Sequence, residues 1–158
     1  MLKNVLEQDV TQRIQPHYSA SATQVMIAGD DIERVKNIQT ALAQRGYLVT
    51  AEKAQPRLLA TLETLAKNLS NRSAAELLIV ECSNQPWIIL SLVEKVRKVY
   101  PALPIILITQ LDPEIRAEAR RLAVDIMMTF PADTTYICQA ATKLAPLIPE
   151  VEEQQRKA

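Results

Sequence analysis

Five short runs of β-forming residues alternate with amphipathic helical segments along this chain, and this alternation restricts the folds that it can adopt. The runs fall at residues 24–29, 47–51, 76–81, 104–109 and 125–129. Residues 77–80 and 105–108 are apolar without interruption. Strands buried on both faces have such runs, and they belong to parallel sheets that are covered by helices on both sides. The sequence therefore predicts an α/β fold built on a five-stranded parallel sheet.

The segments between these runs have helical periodicity. Helices are predicted at 32–45, 57–69, 86–99 and 113–123, and from about residue 132 onward. In the first helix, Ile32, Val35, Ile38 and Leu42 form one apolar stripe, and Gly46 is placed to end the helix in a left-handed conformation. Five β-α units joined by right-handed crossovers give a doubly wound (βα)5 sandwich, for which we predict the flavodoxin-like strand order 2-1-3-4-5.

The length of 158 residues fits one domain with flanking segments. Residues 1–23 are predicted to form an N-terminal helical extension and linker, and residues 24–146 to form the domain that contains the sheet. Pro146 and Pro149 interrupt the last helix. Residues 147–158 are therefore predicted to form a polar C-terminal tail.

Charge and composition argue against several classes of protein. The 18 basic and 18 acidic residues balance, so no basic surface for nucleic acid is expected. No run approaches the roughly 20 apolar residues of a membrane span. Two cysteines, Cys82 and Cys138, are too few for a disulfide framework, which favours a cytoplasmic location. These cysteines and His17 lack the spacing of metal ligands, so no metal site is expected.

Glycine is scarce, and this argues against a nucleotide-dependent enzyme. Only Gly29 and Gly46 occur in the whole sequence. Loops that cradle phosphate need glycine where the backbone approaches the anion, so neither a Walker loop nor a dinucleotide-binding loop is present. Cys82 has no base beside it in the sequence to make it a nucleophile. We therefore expect no cofactor and no enzymatic activity.

Polar residues follow several predicted strands, and their layout resembles the receiver domain of bacterial two-component response regulators over about residues 24–145. In that family an acidic pair after the first strand, an Asp after the third, a Thr or Ser after the fourth and a Lys-Pro after the fifth meet in one pocket. The corresponding positions, with the residue after the acidic pair, are here Gly29, Asp30, Asp31, Glu81, Thr109 and Phe130. The resemblance thus implies a pocket that keeps its frame and loses most of its phosphoryl chemistry.

The residues that differ from the receiver pattern are the basis for expecting little phosphoryl chemistry. Gly29 removes one metal-binding carboxylate, while Asp30 keeps the second and also stands where it would cap the following helix. Glu81 takes the phospho-acceptor position, either as a mimic of the phosphoryl charge or as a solvated residue at a strand end. Phe130 replaces the lysine and is expected to fill its vacated channel. Phosphorylation and Mg²⁺ binding are therefore not expected.

The leading hypothesis is a non-phosphorylatable receiver-like adaptor in signal transduction, acting by contact with a kinase, a regulator, a larger assembly or a second copy of itself. Two alternatives stay open. One is a phosphorylatable response regulator, and the other is a flavodoxin-like enzyme or ligand-binding domain. A transcription factor is disfavoured because only about a dozen residues follow the last predicted helix.

The resemblance also suggests an interaction surface, since receivers commonly pair through the face made by the fourth helix, fifth strand and fifth helix. Arg116, Arg120 and Arg121 crowd the predicted fourth helix with charge. Arg116 and Arg120 are four residues apart and therefore share one helix face. Trp87 is the next candidate contact, either exposed before the third helix or buried against it.

Overall fold

The computed structural model describes residues 23–53, 76–83 and 85–147. These residues form β1 (Gln24–Gly29), α1 (Ile32–Gln44), β2 (Leu48–Lys53), β3 (Leu77–Glu81), α2 (Pro86–Val99), β4 (Ile105–Thr109), α3 (Pro113–Arg121), β5 (Ile126–Thr129) and α4 (Thr134–Leu144). Every predicted strand is present, with its ends moved by at most two residues. The helix predicted at 57–69, the N-terminal extension up to residue 22 and the tail from residue 148 lie outside the described residues.

The sheet is parallel and five-stranded, in the order β2-β1-β3-β4-β5, which confirms the predicted fold and strand order. All strands end at the same edge of the sheet, called here the carboxyl edge, and begin at the opposite or amino edge. The register pairs Gly29 of β1 with Glu81 of β3 and pairs Thr109 of β4 with Thr129 of β5. Four of the positions that resemble a receiver pocket therefore follow or end strands at the carboxyl edge: Gly29, Glu81, Thr109 and Phe130.

Both faces of the sheet are covered by helices. On β3, Leu78 and Val80 pack into the core beneath α2 and α3, whereas Leu77 and Ile79 pack into the core beneath α1 and α4. All four side chains are fully buried. Since burying one such side chain contributes about 1.5–3 kcal/mol, the unbroken apolar runs are the main stabilisers of the sheet.

Helix α1 begins at Ile32 as predicted, but its N-cap lies one residue later than the predicted one. Asp31, rather than Asp30, is the N-cap, and its Oδ1 accepts hydrogen bonds from the backbone N–H groups of Glu33 and Arg34 at 3.1 and 3.3 Å. Asp31 has the extended backbone that an N-cap needs, so the prediction for Asp30 is wrong. Ile32 was placed in the buried stripe, but it is 58% exposed because it is the first helical residue, above the core.

The far end of α1 is closed as predicted. Gly46 has φ +106°, the left-handed conformation that costs a glycine nothing. The Gly46 N–H donates to the carbonyl of Ala43 at 3.0 Å, and the Tyr47 N–H donates to that of Leu42 at 3.2 Å. This pair of bonds satisfies carbonyls that the end of the helix leaves without partners.

At the amino edge, Arg97 of α2 ties two loops together. Its Nε donates to the carbonyl of Leu122 at 3.1 Å, its Nη1 to that of Leu103 at 2.6 Å, and its Nη2 to that of Ala123 at 2.9 Å. Nη1 also donates to the carbonyls of Tyr100 and Pro101. Arg97 therefore fixes the connections that lead into β4 and β5.

None of the helices described here has the length and apolar character needed to cross a membrane.

Candidate functional site

Gly29 closes the end of β1 with no room for a side chain. A Cβ at this position would lie 2.6 Å from Cγ2 of Val35 and 3.3 Å from the carbonyl oxygen of Glu81. Val35 belongs to α1, is nearly fully buried and is stiff at its branched Cβ, so it does not move aside easily. The packing of α1 against β1 thus favours a residue without a Cβ at position 29.

Glu81 ends β3 with its side chain completely buried. Its Oε2 accepts two hydrogen bonds from Arg34, one from Nε at 2.8 Å and one from Nη2 at 2.5 Å. A buried carboxylate needs such a partner, because an unpaired charge away from water is very costly. The interpretation of Glu81 as a solvated strand-end residue is therefore wrong.

Arg34 is the cation of this site, and sequence reasoning missed it. It comes from the first turn of α1, remains 24% exposed at its side chain, and donates a further bond from Nη2 to the carbonyl of Ala132 at 2.9 Å. The hydrogen bond to Glu81 raises the pKa of the Arg34 guanidinium, and the negative charge of Glu81 raises it further. Partial burial acts in the opposite direction and lowers this pKa in part. A cation in the first turn of a helix is unfavourable with the helix dipole. This unusual position of Arg34 was the signal in the sequence that could have indicated a buried acidic partner.

Phe130 follows β5 and supports Arg34 from beneath. The guanidinium carbon of Arg34 lies 5.2 Å from the centroid of the Phe130 ring, a cation–π distance. The ring also packs against the core beneath α1 and α4. Phe130 therefore packs between this core and Arg34, and it remains partly exposed.

Asp30 turns away from the Glu81–Arg34 pair. It is exposed, and its carboxylate accepts hydrogen bonds from the backbone N–H and hydroxyl of Ser83 at 3.4 and 3.3 Å. The thiol of Cys82 also donates to Asp30 at 3.6 Å. Asp30 therefore joins the loop after β1 to the loop after β3.

Thr109 is fully buried at the end of β4, and its Oγ1 has no hydrogen-bond partner among the described residues. The same is true of Oε1 of Glu81. Alternation along β4 puts Thr109 on the side of Ile105 and Leu107, beneath α2 and α3, whereas Glu81 follows the side of Ile79, beneath α1 and α4. The structure thus joins Glu81, Arg34 and Phe130 but gives Thr109 no hydrogen bond to them.

Within the described residues there is no cluster of three or more His, Cys, Asp or Glu side chains arranged to hold a metal ion. Cys82 and Cys138 are buried and are not joined in a disulfide. Burial raises the pKa of the Cys138 thiol, and attraction from Arg45 opposes this only in part. That thiol is therefore kept in its unreactive neutral form.

The predicted contact residues are exposed, but they differ in their partners. Trp87 in the first turn of α2 is 53% exposed, so the alternative in which it is buried is wrong. Arg121 of α3 donates to Glu118 at 2.6 Å and to Glu94 of α2 at 3.4 Å. Arg116 and Arg120 are exposed and make no ion pair with any described residue, so their charges remain available. The other exposed apolar residue in the first turn of α2 is Ile88.

No family model matches the sequence, and no curated protein matches it. Solved structures of receiver domains do match. A CheY-like receiver domain from Methanospirillum hungatei is 17% identical with a TM-score of 0.60, covering 87% of this chain and 100% of that one. The chemotaxis protein CheY4 of Vibrio cholerae is 19% identical with a TM-score of 0.61, covering 78% of this chain and 98% of that one. A receiver protein from Pseudomonas putida is 20% identical with a TM-score of 0.61, covering 77% and 97%. This chain has the receiver fold.

Proposed function

We propose that this receiver-fold chain is a signalling protein that takes no phosphoryl group, catalyses no reaction and acts by contact with another protein. The observation that carries the proposal is the state of Glu81. At the position that resembles a phospho-acceptor, its carboxylate is fully buried and is held by Arg34 through two hydrogen bonds.

Phosphoryl transfer to a carboxylate needs an accessible nucleophile, a metal ion held by further carboxylates and a cation for the phosphoryl oxygens. Here the cation, Arg34, is already bound to the would-be nucleophile. Separating the two would leave Glu81 buried without a partner, which costs about 3–5 kcal/mol. At position 29, even a Cβ would lie only 2.6 Å from Cγ2 of Val35, so the first carboxylate cannot be added without a shift of the packing. Each requirement is therefore opposed by a specific contact.

The phosphorylatable alternative has one observation in its favour, because Asp30 and Thr109 are retained. Asp30, however, is bound by Ser83 and Cys82, and Thr109 is buried and makes no hydrogen bond to Glu81. The ligand-binding alternative gains little from the groove of about 400 Å³ lined by residues 99–104 and Glu76, because this groove lies at the amino edge of the sheet. Ligands of open α/β sheets bind at the carboxyl edge.

The proposal is tested by mass spectrometry of the intact chain. We incubate it with acetyl phosphate and Mg²⁺ beside a conventional receiver domain and expect a mass increase of one phosphoryl group only in the conventional domain. The variant Glu81→Gln is the matched control, since it removes the acceptor and keeps the size of the side chain. A mass increase in the parent that is absent from Glu81→Gln would refute the proposal.

Binding of Mg²⁺ gives an independent check. A hard cation requires several oxygen ligands, and here Asp30 is engaged with Ser83 while Glu81 is engaged with Arg34. Calorimetric titration is therefore expected to show no saturable binding below millimolar concentration. A micromolar dissociation constant that is lost in Asp30→Asn would contradict this expectation.

A further inference from the structure

Two surfaces of opposite charge, whose charged groups have no ion pair with a described residue, lie on opposite sides of α3. The first is the aromatic patch, formed by Trp87 and Ile88 of α2 with Glu114 of α3. Both apolar residues are more than half exposed, and Glu114 is exposed with no ion pair to any described residue. The ion pair between Arg121 and Glu94 shows which sides of α2 and α3 face each other.

Helical periodicity assigns Trp87 and Glu114 to those same facing sides. Glu114 is seven residues before Arg121, and Trp87 is seven residues before Glu94, which is nearly two full turns in each helix. Each is also the second residue of its own helix, and both helices begin at the carboxyl edge. Periodicity thus places Trp87 and Glu114 on the facing sides of α2 and α3, at the end of both helices that is nearest the carboxyl edge.

The second surface is the basic surface, formed by Arg116 and Arg120 of α3 with Met127 of β5. The two arginines have no ion pair with the described residues, and Met127 is only partly buried because β5 is an edge strand. Glu114 and Arg116 are separated by about 200° around the helix axis. The two surfaces therefore cannot meet within one copy of the chain.

We propose that copies of this chain associate head to tail, with the aromatic patch of one copy docked on the basic surface of the next. The inference rests on the proposed function, in that it names a second copy as the contacting protein. Trp87 would lie against Met127 and beneath a guanidinium, two arrangements that indole rings favour, while Glu114 pairs with Arg116 or Arg120. The charge complementarity of these surfaces is the reason for choosing a second copy as the occupant.

This contact joins different surfaces, so each pair leaves one aromatic patch and one basic surface open for further copies. Sedimentation velocity of the parent at increasing concentration is expected to show species larger than a dimer. Because the charged part of the contact is exposed, raising the salt concentration is expected to shift the distribution toward the monomer. A parent that stays monomeric at the highest concentration overturns the inference.

Two blocked variants separate this geometry from a two-fold dimer. Trp87→Ala with Glu114→Gln disables the aromatic patch, and Arg116→Glu with Arg120→Glu disables the basic surface. Each variant alone is expected to be monomeric, with self-association weakened at least tenfold. An equimolar mixture is expected to form a one-to-one complex, because each variant retains one intact surface. If either variant still associates alone, or if the mixture forms no complex, the inference fails.

Controls make these outcomes specific. Lys95→Glu with Lys98→Glu changes the charge by the same amount as the basic-surface variant, at exposed positions of α2 outside both surfaces. It is expected to associate like the parent. Circular dichroism confirms that each variant is folded. A monomeric parent that also takes no phosphoryl group would overturn this inference and leave the proposed function intact, whereas a phosphorylated parent would refute the proposed function directly.

Discussion

Two arginines at opposite edges of the sheet have different structural roles. Arg97 at the amino edge donates all its assigned hydrogen bonds to backbone carbonyls, among them those of Leu103, Leu122 and Ala123. Of the three hydrogen bonds that Arg34 at the carboxyl edge donates to described residues, two go to one carboxylate oxygen of Glu81. The first arginine organises loops, and the second neutralises a buried charge.

The difference between the two arginines shows that the buried polar atoms without hydrogen-bond partners in the described part of the chain lie at the carboxyl edge, where Arg34 is. Around Arg97 the hydrogen-bond acceptors are neutral carbonyls, and the neighbouring carboxylate, that of Asp125, lies 3.8 Å from Nη2 and is partly exposed. Around Arg34 the pair leaves Oε1 of Glu81 without a hydrogen-bond partner among the described residues, and the same holds for Oγ1 of Thr109 at this edge. Buried polar groups normally find partners, so groups that do not find them call for an explanation. Here they coincide with the positions that resemble a receiver pocket, and the proposed function accounts for them as groups that take part in no phosphoryl transfer.

Removing Arg34 should give the largest loss of stability, and it tests most directly whether Arg34 acts by neutralising a buried charge. Arg34→Met leaves the buried carboxylate of Glu81 with no cation, and we expect the free energy of unfolding to fall by about 3–5 kcal/mol. The double variant Arg34→Met with Glu81→Met should recover most of this loss, because an apolar pair replaces an ion pair. Urea denaturation measures both. A double variant as unstable as the single one would show that Arg34 acts other than through Glu81.

Removing Arg97 should cost less and should not be rescued in the same way. Arg97→Met frees several carbonyl groups at once, but those of Pro101 and Ala123 are at exposed positions that water can reach. We therefore expect a loss of about 2–3 kcal/mol, comparable to one or two charge-assisted hydrogen bonds. Arg97→Lys should lie close to Arg97→Met, since one ammonium group cannot serve two loops. Urea denaturation of the two variants decides this. Wild-type stability in Arg97→Lys would mean that charge alone suffices there.

Restoring the lysine of the receiver pattern should destabilise the carboxyl edge without restoring chemistry. Phe130→Lys removes the ring beneath Arg34 and puts a second cation beside it. Because Phe130 is only partly buried, we expect a loss of about 2 kcal/mol, below the full cost of a buried phenylalanine. Phe130→Leu, which keeps an apolar contact, is the matched control. The comparison is made by thermal denaturation, and a melting temperature unchanged by Phe130→Lys would contradict the packing described here.

The surface pair of Glu118 and Arg121 should give the smallest effect. The hydrogen bond from Arg121 lowers the pKa of the Glu118 carboxyl. A lowered pKa stabilises the folded chain above the ordinary carboxyl range, and this contribution is lost as the pH falls through the lowered value. Melting temperatures between about pH 3 and 7 should thus fall slightly less toward acid in Glu118→Gln than in the parent. High salt should remove the difference, and a difference that persists in high salt would show that the pair is not screened.

The sequence predicts the fold well because apolar patterning determines most of it. The runs at 77–80 and 105–108 indicate buried parallel strands, and Gly46 marks the end of α1. The site is harder to predict, because its key contact joins residues 47 positions apart in the sequence. Nothing local to Glu81 indicates Arg34. The cap of α1 at Asp31 rather than Asp30 depends on one residue of backbone geometry, which periodicity does not resolve.

The packing of Val35 against Gly29 also bears on how a chain like this can change over generations. Reintroducing a carboxylate at position 29 in one step would drive its Cβ into Val35, whose nearest methyl would be only 2.6 Å away. Shrinking Val35 first would open a cavity in the core and weaken the fold before any benefit appeared. Both single steps toward a phosphoryl-binding pocket are therefore uphill, and the order of steps does not help. Under the proposed function, this single methyl group keeps position 29 from gaining a carboxylate by one substitution.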